Sequence, residues 1–200
     1  MIKQIKVFGE RNSGTNFLTK LMKRNFEGVG FDKNFGWKHG DIGQKMKFYN
    51  DKNILKTTKV VGIKDPKSTL IVVITRNPFT WLQSMHRSPH HAPKHWHIPF
   101  HEFLNKKWQC YYSRPSQPSH KDKKIRMACA KPENLFEEYD NVLELRKDKM
   151  QIHKSFSKKL PNVAYITLEQ LNAEGEKLIA ELARIYNIKT KKAYRGVSED

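Results

Sequence analysis

Runs of apolar residues along the chain alternate between the spacing of strands and the spacing of helices. Residues 2–8 form a short β-type run, and residues 14–26 place apolar side chains on one helix face. The stretch LIVVIT, residues 70–75, is continuously apolar, which is typical of a strand buried on both faces. The alternation continues with helical spacing at 79–87, 133–160 and 173–188, and with a strand pattern at 163–168. The pattern predicts an α/β fold, with a mainly parallel β-sheet flanked by helices.

The apolar pattern also predicts the domain organisation. We expect a single domain over residues 1–190, followed by a polar tail, residues 191–200. Within the domain, residues from about 88 to 130 are rich in Pro, His, Ser and Lys, and they predict a loop-rich insertion with a short helix near 99–109.

Three local features are predicted less directly from the pattern. Residues 27–58 are mixed and predict a strand near Trp37 and a short helix, while the helical spacing after residue 133 is broken near Asp140–Asn141. The helix at 79–87 is expected to bury Phe79, Leu82 and Met85. The last helix is expected to bury one apolar stripe, made of Leu178, Ile179, Leu182, Ile185 and Tyr186.

Composition restricts the partners and the compartment. The chain has 38 Lys and Arg against 20 Asp and Glu, a net charge of +18, which favours anionic partners such as nucleotides, sulfated or phosphorylated molecules, nucleic acid or membrane surfaces. Two cysteines, Cys110 and Cys129, are too few for a disulfide framework and lack the spacing of a zinc site. Because no apolar run is long enough to span a membrane and the first residues read as a strand, we expect a cytoplasmic protein without membrane contact.

The segment KVFGERNSGTNF lies at the predicted junction between the first strand and the first helix. Gly9 and Gly14 have the spacing of the phosphate-binding motif G-x-x-x-x-G-K-[ST], but Thr15 and Asn16 replace its Lys and its Ser/Thr. A helix N-terminus offers free N–H groups to an anion. The side chains that can add to this binding are Arg11, Asn12, Ser13, Thr15 and Asn16. The loop therefore predicts an anion site without the residues that bind a nucleoside triphosphate and Mg²⁺.

A second candidate phosphate-binding segment is TRNPFTWLQSMHR, residues 75–87. Arg76 follows the buried strand directly, and the carboxyl ends of parallel strands are where open α/β sheets bind ligands. Asn77–Pro78 turns the chain into a helix, and Ser84 lies on that helix eight residues after Arg76. We expect Arg76 and Ser84 to point at one phosphate.

Together the two segments resemble the sulfotransferases that use PAPS (3′-phosphoadenylyl sulfate). In that family an R-x-S-G-T loop binds the 5′-phosphosulfate, and R-N-P with a Ser at the position of Ser84 binds the 3′-phosphate. The resemblance implies a P-loop-NTPase-like sulfotransferase fold and an enzyme that moves a sulfuryl group to a hydroxyl or amine without a metal, releasing 3′,5′-ADP (PAP). Carried over to this sequence, it implies two sets of binding residues, Arg11 to Asn16 for the 5′ side and Arg76 with Ser84 for the 3′ side.

The catalytic residues are assigned on the same resemblance. His39 in GWKHG is the first candidate for the base, and Asp65 in IKDP is the second. Many family members have a Lys or Arg where this chain has Asn12, so Arg11, Lys38 or Lys64 is expected to supply that positive charge.

Alternatives remain open on the sequence. A P-loop nucleotide or small-molecule kinase is the second enzyme class, and a basic nucleic-acid-binding protein is the non-catalytic class, although nucleic acid is the less favoured partner. The acceptor is a small molecule, a glycan or another substrate, and the short chain is compatible with an open groove or a homodimer. Six histidines between residues 86 and 101 favour a substrate-side loop over a metal site, and Arg146, Lys147 and Lys149 either meet an anionic acceptor or form a solvated face.

Overall fold

A four-stranded parallel sheet forms the centre of a single α/β domain. The structure, a computed structural model, describes residues 1–31, 35–44, 47–49, 54–57, 60–110, 126–128 and 138–197. In chain order the elements are β1 (Gln4–Gly9), α1 (Thr15–Asn25), β2 (Gly30–Phe31), β3 (Lys47–Tyr49), β4 (Ile54–Thr57), β5 (Thr69–Thr75), α2 (Pro78–Arg87), α3 (Phe100–Asn105), β6 (Trp108–Gln109), β7 (Arg126–Ala128), β8 (Glu138–Tyr139), α4 (Val142–Lys154), α5 (Phe156–Lys159), β9 (Val163–Thr167) and α6 (Leu168–Tyr186).

The register of the central sheet brings three strand ends together. Its order is β2-β1-β5-β9, and every pair is parallel. Gly9 at the end of β1 is level with Ile74 of β5, and Thr75 of β5 is level with Thr167 of β9. The loops that follow these strands therefore emerge side by side at the carboxyl edge of the sheet. Two small antiparallel sheets, β4-β3-β7 and β6-β8, lie outside it.

Both faces of the sheet are covered by helices, which is why β5 is continuously apolar from Leu70 to Ile74. Its alternate residues Leu70, Val72 and Ile74 pack on one face with apolar side chains of α1 and α6. Ile71 and Val73 pack on the other face against Phe156 of α5. The prediction of a parallel sheet flanked by helices is confirmed. Among the described residues, no helix is long and apolar enough to cross a lipid bilayer.

A second apolar core lies beneath the insertion. Trp81 and Met85 of α2 pack there with Phe103, Trp108 and apolar residues from the start of α4. The prediction of Phe79 as an inward residue is wrong, because Phe79 is 75% exposed and Trp81 occupies the buried side of the helix. The predicted short helix near 99–109 is present as α3. Residues 111–125 and 129–137 lie outside the described residues, and with them Cys129 and the start of the helical pattern predicted from 133.

Three further sequence predictions differ from the structure. Trp37 lies in a turn, closed by the bond from Gly40 N–H to the Trp37 carbonyl, and not in a strand. No helix occurs between 27 and 58 among the residues that are described there. The helical pattern from 133 is wrong at residues 138–139, which form β8, while Asn141 caps the start of α4.

The last helix has two parts, separated by a kink at Glu174, whose backbone (φ −136°, ψ 37°) is not helical. Thr167 and Gln170 form a capping box that starts the first part at Leu168, and the part after the kink is the helix predicted from 173 onwards. Ile185, predicted to be inward, is 54% exposed, and Ala183 is buried in its place. The hydrophobic stripe thus predicted the part after the kink, whereas the capping box starts the part before it.

Candidate functional site

The first loop turns sharply where β1 ends. A Cβ on Gly9 would lie 2.3 Å from the Ile74 carbonyl oxygen, so only glycine permits this approach to β5. The Ser13 hydroxyl donates to the Glu10 carbonyl at 2.7 Å and closes the loop on itself. Gly14, with φ 89°, then occupies the N-cap of α1, and Thr15 is the buried first residue of that helix. The predicted strand, loop and helix are all present.

The second loop is bonded to the first. Arg76 leaves β5 and donates through Nε to Thr80 Oγ1 at 3.1 Å and through Nη1 to the Asn12 carbonyl at 3.2 Å. Asn12, with φ 59°, donates its amide to the main-chain carbonyls of Ser84 and Ser88, both at 3.0 Å. The residues predicted from two distant segments are thus in direct contact.

A cleft of about 570 Å³ opens between these loops, and we call it the basic cleft. Its wall includes Asn12, Gly14, Lys20, Arg76, Ser84 and Arg87. Three of these are cations, and none of the described residues that line the cleft is acidic. An anion with several phosphate groups suits such a lining.

A smaller hollow of about 310 Å³ lies on the other side of the same loop, and we call it the histidine hollow. It shares Asn12, Gly14, Asn16 and His90 with the basic cleft. Its other walls are formed by Arg11, Thr15, Trp37, Lys38, His39 and His91. The first loop is therefore the partition between two adjacent spaces.

His39 is oriented as a proton acceptor in this hollow. Its Nδ1 lies 2.6 Å from the Gly9 carbonyl oxygen, which can only accept, so Nδ1 carries the proton and Nε2 keeps its lone pair. Burial, together with the charges of Lys38 and Arg11, holds the pKa of His39 well below its usual value. The ring packs edge-on against Trp37, with 5.1 Å between centroids. A neutral, fixed imidazole of this kind can act as a general base.

Two cations border the histidine hollow. Lys38 Nζ donates to Asn16 Oδ1 at 2.6 Å, and burial lowers the pKa of its ammonium. Arg11 is 4% exposed, donates to Cys110 Sγ at 2.9 Å and lies 4.9 Å over the Trp37 ring. The structure brings both candidates near the loop, whereas Lys64 is next in sequence to Asp65, at the other edge of the sheet.

Asp65 is not part of this site. Its carboxylate accepts from Lys67 N–H, Ser68 N–H and Ser68 Oγ, and so caps the short 3₁₀ turn that leads into β5. Because Asp65 precedes the parallel strand that Arg76 follows, roughly 20 Å of strand separates the two. The structure therefore does not bring the second base candidate to the carboxyl edge.

Two of the six histidines between 86 and 101 serve packing. His86 Nε2 bonds the Ile98 carbonyl at 2.7 Å, and His95 is buried between Phe103 and Trp108, where burial lowers its pKa to about 4. His90 and His91 border the histidine hollow. No group of three or more His, Cys, Asp or Glu is placed to hold a metal ion in the described part of the chain.

Sequence reasoning missed several residues of the site. Lys20 lies one helical turn after Asn16, and Arg87 lies three residues after Ser84, so helical spacing from the predicted residues was a signal for both. The Glu10–Arg146 pair had no such signal because its members are far apart in sequence. Arg146 Nε lies 3.2 Å from Glu10 Oε1, and both side chains are largely buried.

Glu10 makes the stability of the protein depend on pH. Burial raises the pKa of its carboxyl to about 7 despite the nearby Arg146. The folded protein therefore keeps a proton that the unfolded chain releases above its ordinary pKa of 4.5, and stability falls as pH rises from there to about 7. We expect Glu10→Gln to raise the free energy of unfolding at pH 8 by on the order of 1–3 kcal/mol, and to change it little at pH 5.

Urea unfolding of both proteins at pH 5 and pH 8 measures this effect. Glu144→Gln is the matched control, because Glu144 is half exposed and pairs only loosely with Lys147. A Glu10→Gln variant that is less stable than the wild type at pH 8 would show that pairing with Arg146 outweighs burial.

In comparisons with known proteins, no family model matches the chain, and neither a curated protein nor a solved structure shows significant similarity to it.

Proposed function

We propose that this protein is a PAPS-dependent sulfotransferase with a P-loop-NTPase-like sulfotransferase fold. The main observation behind the proposal is that the two predicted anion-binding loops contact each other at the carboxyl edge of the sheet. The first loop separates the basic cleft from the histidine hollow, which contains the neutral His39. A kinase would need a lysine and a magnesium-binding hydroxyl in the first loop, where this chain has Thr15 and Asn16.

The basic cleft is the proposed nucleotide site. Arg76 and Ser84 would hold the 3′-phosphate, with Lys20 and Arg87 adding positive charge. The N–H groups at the start of α1, together with Asn16 on the wall that the two spaces share, would hold the 5′ end. Gly14 and Asn16 line both spaces, so a group at the 5′ end lies beside the histidine hollow.

The histidine hollow is the proposed place of transfer. PAPS supplies the sulfuryl group and leaves as 3′,5′-ADP. His39 Nε2 would accept the proton of the acceptor's hydroxyl or amine, because Nδ1 is bonded to the Gly9 carbonyl. Lys38 is the proposed cation for the charge that develops on the departing oxygen, since its ammonium is bonded to Asn16 on the shared wall. Arg11 is more deeply buried and would set the positive potential of the hollow.

Calorimetric titration of the full chain with 3′,5′-ADP and with 5′-AMP tests the proposal. We expect 3′,5′-ADP to bind at least about tenfold more tightly, because one further phosphate gains charge-assisted bonds. Addition of EDTA should leave both affinities unchanged. Equal affinity for the two nucleotides would contradict the proposal, and ATP binding that requires Mg²⁺ would favour a kinase instead.

A further inference from the structure

Arg146 of α4 contacts both anion-binding loops from inside the protein. Its Nη2 donates to the Arg76 carbonyl at 2.6 Å, and its Nε lies 3.2 Å from Glu10 Oε1. The guanidinium also lies 4.6 Å over the Trp81 ring, and the side chain is only 14% exposed. The sequence of segment 143–149 predicts either an acceptor contact or a solvated face. The Arg146 side chain instead points into the protein, towards the two loops.

The two groups that Arg146 contacts lie at the start of each loop. Glu10 is the first residue after β1, and its carbonyl accepts from the Ser13 hydroxyl that closes the first loop. Arg76 is the first residue after β5, and its carbonyl precedes the turn into α2. The guanidinium donates a hydrogen bond to the Arg76 carbonyl and pairs by charge with Glu10, whose carboxylate accepts no hydrogen bond from the described residues. The compact ammonium of a lysine lacks the planar geometry that lets one side chain face both groups.

Trp81 provides a second link in the same place. Its Nε1 donates to the Arg11 carbonyl at 2.8 Å, so the ring beneath Arg146 is itself bonded to the first loop. One buried cluster of Glu10, Arg146 and Trp81 therefore fixes the main chain of both loops. None of these three side chains lines the basic cleft.

We propose that Arg146 is a positioning residue that holds the two anion-binding loops as one unit. A nucleotide with anionic groups at both the 3′ and 5′ positions then contacts both loops at once and binds more tightly than a nucleotide with either group alone. This inference rests on the proposed function, which places those two groups on the two loops. Preorganised loops bind the second phosphate without a further ordering cost. Loops that move independently would lose that gain but would still bind each phosphate alone.

The test compares three nucleotides, 3′,5′-ADP, 5′-AMP and 3′-AMP, in calorimetric titrations of the full chain. In Arg146→Gln we expect the affinity for 3′,5′-ADP to fall by about tenfold or more, while that for each monophosphate changes by less than about threefold. Arg146→Lys keeps the charge and should show the same selective loss. Lys147→Gln is the matched control, since Lys147 is the exposed neighbour on the same helix and should change no affinity.

The possible outcomes separate this inference from the proposed function. A wild type that does not prefer 3′,5′-ADP would overturn both. A wild type with the preference and an Arg146→Gln variant that keeps it would overturn the positioning role alone. Equal weakening of all three nucleotides would also overturn it, because a merely structural role predicts that result. If Arg146→Gln does not fold, Arg146→Lys decides by the same comparison.

Discussion

Replacing Arg76 with alanine is expected to abolish the preference for 3′-phosphorylated nucleotides. Its guanidinium lies at the end of the central strand and lines the basic cleft beside Ser84. Hydrogen bonds to a charged group contribute about 1.5–3 kcal/mol each, so the loss of one or two should weaken 3′,5′-ADP by at least about 10–100-fold. The affinity for 5′-AMP should fall far less, because it lacks the group that Arg76 would contact. Calorimetric titrations of both nucleotides measure the ratio directly.

A control variant and a second variant of the proposed site distinguish a specific contact from general charge. Arg184→Ala removes the same charge from the exposed last turn of α6 and should leave both affinities unchanged. Ser84→Ala should reduce the preference in the same direction as Arg76→Ala, but by less, because a hydroxyl forms a weaker bond to phosphate. Equal weakening of both nucleotides by Arg76→Ala would contradict a 3′-phosphate site. Steeply salt-dependent DNA binding that survives Arg76→Ala would support the nucleic-acid alternative.

Replacing His39 with alanine is expected to lower turnover by about 100- to 10,000-fold, the usual contribution of a general base. Nucleotide affinity should stay within about twofold, because His39 lines the histidine hollow and not the basic cleft. The rate is measured as 3′,5′-ADP released from PAPS, either with phenolic and sugar hydroxyl acceptors or with water in place of the acceptor. A variant that retains full turnover would place the base elsewhere.

The pH profile provides a second readout for His39. Because its pKa is held well below the usual value, the imidazole is already neutral at pH 6.5 in the free protein. The acidic limb of kcat/KM, which reports the free enzyme, should therefore lie below the range of an ordinary histidine. His101→Gln, on the exposed face of α3, is the matched control and should alter neither rate nor profile.

The local parts of the candidate site were predictable, since strand, glycine turn and helix lie together in the sequence. The positions of Gly9, Gly14 and Arg76 could be predicted because they follow from the backbone geometry of their own segments. The choice between His39 and Asp65 could not be made from motif likeness, because both segments pair a lysine with a candidate base. The fold separates them, because Asp65 precedes β5 at one edge of the sheet, whereas His39 is bonded to the carbonyl of Gly9, where β1 ends at the carboxyl edge.

The tertiary contacts of the site could not be read from the sequence. Arg146 has ordinary helical neighbours, and nothing in its own segment indicates that it pairs with Glu10. Likewise, Phe79 and Trp81 are both apolar positions on α2, and only the second core beneath the insertion determines that Trp81 is the buried one. Local patterns predict elements, whereas the choice of buried face depends on what the rest of the chain packs against it.

The two spaces of the site are supported by parts of the fold with unequal local stability. Arg76 follows β5, which pairs on both sides and is buried from Thr69 to Ile74. Lys38 and His39 lie in a turn outside the sheet, tied to β1 by two hydrogen bonds at Gly9. Local opening of such a turn requires less free energy than opening of a central strand. On warming, amide exchange should therefore begin around residues 37–40, and the histidine hollow should lose its shape while the basic cleft still holds its own.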